Sequence, residues 1–139
     1  MNSFVFWWRS LVAATVAVFL FGVGMVLFPN FVHRTFAKVT STEVDARSLP
    51  YVIFLIGVSG AVMAGWAVAL FGLVIGPFRR REAGAWRLIA SSVTVWFVLD
   101  TSFSLVSGFW QNAVLNFGFL LSILIPLLFT RRAFPSARP

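Results

Sequence analysis

Four long apolar runs divide the chain, and most charged residues lie between them or at their ends. They cover 8–28, 51–75, 86–107 and 112–130, each long enough at 1.5 Å per residue to cross a hydrocarbon core of about 30 Å. A bilayer offers no water to backbone N–H and C=O groups, so spans of this kind must be helices. The first carries Arg9 near its start. The second has no charge and ends at Gly76-Pro77, ahead of Arg79, Arg80 and Arg81. The third contains one acid, Asp100, and the fourth stops at Arg131-Arg132. The first run is too long for a signal-peptide core, and no small-x-small cleavage site precedes Pro29, so it reads as a retained helix.

The pattern predicts an all-α fold, an integral membrane four-helix bundle forming one domain over 1–139. Its one long loop, 29–50, should hold a short interfacial helix near 30–40. Pro29-Asn30 is a helix start there, with Phe31, Val32, Phe36 and Val39 on one side and His33, Arg34 and Lys38 on the other. Ser41, Thr42 and Glu43 then read as a connector.

Composition removes the alternatives. Of 139 residues, 60% are hydrophobic and 11% charged, where a soluble domain carries about 25% charged. A water-soluble globule and a disordered chain are both excluded. Without cysteine there is no disulfide, iron–sulfur site, zinc-thiolate site or redox thiol pair. A single His leaves too few ligands for a metal or haem, so no cofactor is expected.

The net charge of +7 has no basic helix face or aromatic-basic platform beside it, so nucleic acid is not an expected partner. In an apolar chain, basic residues mark the cytoplasmic flanks of membrane spans. Arg9, Arg79, Arg80, Arg81, Arg87, Arg131, Arg132 and Arg138 fall on one side of the four spans. Arg34, Lys38 and Arg47 fall on the other, partly offset by Glu43 and Asp45. Both termini are therefore expected in the cytoplasm, with the chain in the cell's inner (plasma) membrane. Trp7, Trp8 and Trp86 then mark the inner boundary, and Tyr51 and Trp110 the outer.

Small residues show where helices can approach, because lipid provides no hydrophobic drive between them. The second span has two series at i+4 spacing: Gly57, Ala61, Gly65, Ala69, and Gly60, Ala64, Val68, Gly72, Gly76. The first span offers Ala13, Ala14, Ala17, Gly22 and Gly24. These predict either a close contact between the first two spans or a homodimer seam on the second.

Asp100 carries the functional argument. A carboxylate at that depth costs at least about 2.5 kcal/mol, so it must face the protein interior, a wet cavity or a partner. Trp96, Ser104 and Ser107 share its helical stripe, whereas Thr101 and Ser102 point elsewhere. The short connection at 108–111 makes the last two spans a tight hairpin. Counting outward from that turn predicts a cluster of Asp100, Ser104 and Asn116, with Asn112 one turn away and Trp66 and Trp96 as caps. No base lies within the other spans, so an ion pair would need Arg34 or Arg47 from the outer loop. The bland counterpart of a ligand or proton site is a polar clasp fixing helix register. A hydrolytic triad of His33, Asp100 and a serine lacks a nucleophile elbow.

Four spans in about 140 residues, Phe28-Pro29 before an outer helix, and Gly60-Ala61 through Gly65-Trp66 resemble DoxX-like bacterial membrane proteins. Some members of that group are linked to thiosulfate:quinone oxidoreduction. No redox-active residue here would carry such chemistry over. The expected function is a non-enzymatic membrane protein that binds a small apolar ligand, a lipid or a partner helix in the layer around Asp100. Its rivals are a proton- or cation-coupled transporter using Asp100 and an accessory subunit of a larger complex. Expected partners are membrane lipids, with a homo-oligomer or larger membrane complex as the further alternatives.

Overall fold

The computed structural model describes residues 3–134; Arg138, counted above among the flanking bases, lies outside them. The order is α1 (Ser3–Leu27), α2 (Pro29–Thr40), α3 (Leu49–Leu73) running into a π turn (Val74–Phe78), α4 (Ala83–Val106) and α5 (Trp110–Thr130), with a final 3-10 turn at Arg131–Ala133. The chain is all-α, and four of its helices are long and apolar enough to cross a membrane: Ser3–Leu27, Leu49–Phe78, Ala83–Val106 and Trp110–Ala133. The protein is a multi-pass membrane protein. Large apolar side chains such as Phe54, Val62, Leu99, Phe103 and Leu121 stand exposed along the helices, which lipid tolerates and water would not.

Two compact units divide the chain, Ala17–Val68 and the remainder. The remainder, here the first unit, holds the start of α1, the end of α3 and all of α4 and α5. Leu11, Leu70, Val74, Phe78, Ile89, Ile123 and Leu127 are each at most 1% exposed in it. Ring contacts extend this packing: Phe78 meets Phe4 and Phe134 at centroid distances of 6.2 and 4.7 Å, and Trp7 stacks on Phe129 at 4.4 Å.

The second span runs past the stop read at Gly76-Pro77. Pro77 lacks the N–H that an α-helix needs, and the backbone widens into a π turn rather than breaking. The Arg81 and Glu82 amides return to the Phe78 and Pro77 carbonyls at 2.9 and 3.0 Å, with Arg81 in the left-handed region at φ 59°. That closes the helix.

In the second unit, Gly22 of α1 meets Gly60 and Ala64 of α3 backbone to backbone. A Cβ placed on Gly22 would lie 2.7 Å from the Gly60 carbonyl oxygen and 2.8 Å from the Ala64 nitrogen. A Cβ on Gly60 would lie 2.5 Å from the Gly22 oxygen and 2.6 Å from Met25 Cβ. One predicted series therefore makes the contact through Gly60 and Ala64. The other does not: Gly57 and Gly65 face open space, and Ala61 is exposed. The helix expected at 30–40 is α2, which begins one residue earlier because Pro29 fits the first helical turn. It buries no residue. Phe31 and Val39 are among its exposed apolar positions, and His33, expected on the wet side, is half-buried.

Candidate functional site

The polar layer is built on the α4–α5 hairpin, and its register follows from how α4 stops. Gly108 takes φ 81°, a conformation that costs a residue with Cβ about 1–2 kcal/mol. The Phe109 amide then reaches the Ser104 carbonyl at 2.8 Å and the Gly108 amide reaches Leu105 at 3.1 Å. These are the two bonds of a Schellman termination. Only Ser107, Gly108 and Phe109 separate the helices, so positions equidistant from Gly108 come level.

Ser104 lies four residues before Gly108 and Asn112 four after. Asn112 Nδ2 donates to Ser104 Oγ at 2.8 Å and to Asp100 Oδ1 at 3.1 Å. Ser104 Oγ in turn donates to the Asp100 carbonyl at 2.7 Å, with Asp100 Oδ1 at 3.3 Å. Asn112 is therefore the donor aimed at Oδ1, the single Ser104 hydroxyl proton being shared between that oxygen and the nearer carbonyl, and Oδ2 accepts from neither. Ser104 is buried and Asp100 half-buried.

Asn116 is not in this cluster. Its Nδ2 donates to Thr101 Oγ1 at 3.2 Å, and both residues are buried. The expected trio of Asp100, Ser104 and Asn116 is thus corrected by one helical turn, with Asn112 in the place given to Asn116. Thr101, read as pointing elsewhere, faces α5 and forms the second polar rung. A count centred on Gly108 pairs 104 with 112 and 101 with 116 to within a residue, so the signal was present in the helix-stopping glycine.

Trp96 is half-buried one turn before Asp100, and its ring lies 6.5 Å from that of Phe97, which meets Phe117 of α5 edge-on at 5.0 Å. Trp66 belongs to the second unit, on α3, and is half-buried. Arg34 on α2 and Arg47 in the following loop also belong to that unit, and both are exposed. The Arg47 amide is held by Asp45 Oδ2 at 3.2 Å, in the turn that leads into α3. Among the described residues no three His, Asp or Glu side chains gather as metal ligands.

Two indoles read only as belt residues make specific bonds at the opposite end of the first unit. Trp8 Nε1 donates to the Val74 carbonyl in the π turn at 3.0 Å, and Trp86 Nε1 to the Leu127 carbonyl at 2.7 Å. The last carbonyls of a helix lack intrahelical partners. Thr130 Oγ1 also bonds Leu127 at 3.1 Å. Comparisons with protein-family models, with curated proteins and with solved structures find no match to this chain.

Proposed function

We propose that the protein is a non-enzymatic membrane protein whose α4–α5 hairpin offers Asp100 as an acceptor to a small apolar ligand with a donor group, to a lipid, or to a partner helix. One observation carries this reading. The half-buried carboxylate is approached by Asn112 Nδ2 at 3.1 Å and Ser104 Oγ at 3.3 Å on Oδ1, and by neither on Oδ2. An acid within a membrane span is a candidate functional group, and the oxygen that neither donor engages is where an incoming donor would bind. Ser104 and Asn112 orient the group and leave one lone-pair face for an incoming donor. The resemblance to DoxX-like proteins fits the same class without supplying chemistry.

Dicyclohexylcarbodiimide, an apolar carbodiimide that modifies carboxyl groups inside membranes, tests this directly. The wild type in liposomes should gain one adduct, mapped by mass spectrometry to Asp100, and Asp100→Asn should gain none. No adduct at Asp100 in folded wild type would leave the residue a sealed clasp. Ion or solute uptake abolished by Asp100→Asn and kept by Ser104→Ala would replace the binding reading with transport. Stoichiometric co-purification with a larger complex would replace it with a subunit role.

The termini are assigned to the cytoplasm, and the membrane to the cell's inner membrane, on the arginine distribution. Labelling of a cysteine at Arg80 from outside intact cells would reverse that orientation.

A further inference from the structure

Among the described residues, seven arginines belong to the first unit: Arg9, Arg79, Arg80, Arg81, Arg87, Arg131 and Arg132. They flank the ends of its long helices, and all are exposed. Glu82 is the one side-chain carboxylate beside them, and it is bonded to Arg80 at 2.7 Å. Asp100, the unit's other acid, lies 17 residues along α4 from Ala83, a rise of about 26 Å.

Three of the arginines sit over rings. The guanidinium carbon of Arg79 is 4.9 Å from the Trp8 ring, that of Arg81 is 4.5 Å from Phe4, and that of Arg131 is 5.7 Å from Trp86. Trp8 and Trp86 are themselves fixed by their bonds to Val74 and Leu127. One device thus occurs twice. A tryptophan on α1 or α4 grips the end of α3 or α5 and supports the arginine that follows. A cation over a ring is held without using its N–H fork, so these guanidiniums are positioned and still able to donate.

We infer that this arginine-rich end is a binding surface for the phosphate of an anionic phospholipid. The fork geometry of arginine matches phosphate oxygens in pairs, and the surface lies where spanning helices end, at headgroup depth. Exposed apolar side chains on the same helices, among them Phe6, Ile75, Leu88 and Leu128, supply acyl-chain contact beside it. The inference is independent of Asp100.

The test reconstitutes the chain in vesicles of equal phosphatidylcholine and phosphatidylglycerol, extracts it in mild detergent, and counts retained lipid by native mass spectrometry. Retained lipid should be enriched in phosphatidylglycerol. Arg79→Gln with Arg131→Gln should reduce that enrichment by about five-fold per arginine, while Arg34→Gln with Arg47→Gln leaves it unchanged. If the glutamine pair does not fold, Arg79→Lys with Arg131→Lys keeps the charge and should reduce enrichment less, through loss of the fork. Added salt should lower wild-type enrichment. Equal retention of the two lipids, equal loss in the Arg34/Arg47 pair, or salt-independent enrichment would each overturn the inference. Displacement of the lipid by inorganic phosphate, where chloride at the same ionic strength leaves it bound, would also overturn it, showing a site for free phosphate instead.

Discussion

Replacing Gly60 with alanine adds one methyl group where α1 and α3 touch through backbone. The new carbon would stand 2.5 Å from the Gly22 carbonyl oxygen and 2.6 Å from Met25 Cβ. Neither neighbour can swing aside as a long side chain would, since one is backbone and the other sits on the helix surface. The helices must separate or shift, and overpacking of this kind costs about 1–3 kcal/mol. Alanine returns up to about 1 kcal/mol of backbone preference over glycine, so a net loss remains. Gly22→Ala meets the Gly60 oxygen and the Ala64 nitrogen at 2.7 and 2.8 Å and should lose a similar amount. Gly65→Ala is the internal control, on the same helix with nothing within 4 Å of its new Cβ. It should be neutral or gain up to about 1 kcal/mol. Reversible unfolding in mixed micelles, followed by helical circular dichroism, measures all three. Equal stability of Gly60→Ala and Gly65→Ala would refute the close approach, whatever the absolute values.

Two further substitutions examine the α4–α5 hairpin. Gly108→Ala should cost about 1–2 kcal/mol through its left-handed backbone, measured by the same unfolding assay, and an unchanged midpoint would contradict the Schellman termination. Thr101→Val and Asn116→Leu should each lose about 0.6–2 kcal/mol, with the double variant less than additive because they break one bond. Strict additivity would mean that the two side chains do not interact.

The helical membrane architecture was legible because it rests on length and apolarity, two properties that survive without tertiary detail. The helix at 29–40 was legible for a similar reason, since Pro29 and the alternation of Phe31, Phe36 and Val39 against Arg34 and Lys38 are local. Partner choice between helices was harder to read. Asn112 and Asn116 are the same residue type one turn apart, so choosing which meets Asp100 needs the axial register of α4 against α5. That register is set by Gly108, whose left-handed backbone ends α4 three residues before α5 begins. The choice between two glycine series on α3 likewise depended on where α1 lies. Trp8 and Trp86 looked like belt residues because a tryptophan at a membrane boundary has the same composition whether its N–H meets lipid, water or a helix-end carbonyl.

These local devices explain how helices that gain little from hydrophobic burial in lipid still pair specifically within each unit. The α4–α5 pair is fixed at one end by the Gly108 turn and the Asn112–Ser104–Asp100 bonds, and at the other by Trp86 on Leu127. The α1–α3 pair is joined at Gly22 and Gly60 in one unit and by Trp8 on Val74 in the other. None of these contacts depends on expelling water from apolar surface. Each instead answers a polar group that lipid would leave unmet, or allows an approach that only a missing side chain permits. Seen this way, Asn116 and Thr101 are accounted for by each other, and so are Ser104 and Asn112. Asp100 is the one acid of the hairpin's polar layer, and the oxygen that neither Ser104 nor Asn112 engages is what the proposed binding role of Asp100 rests on.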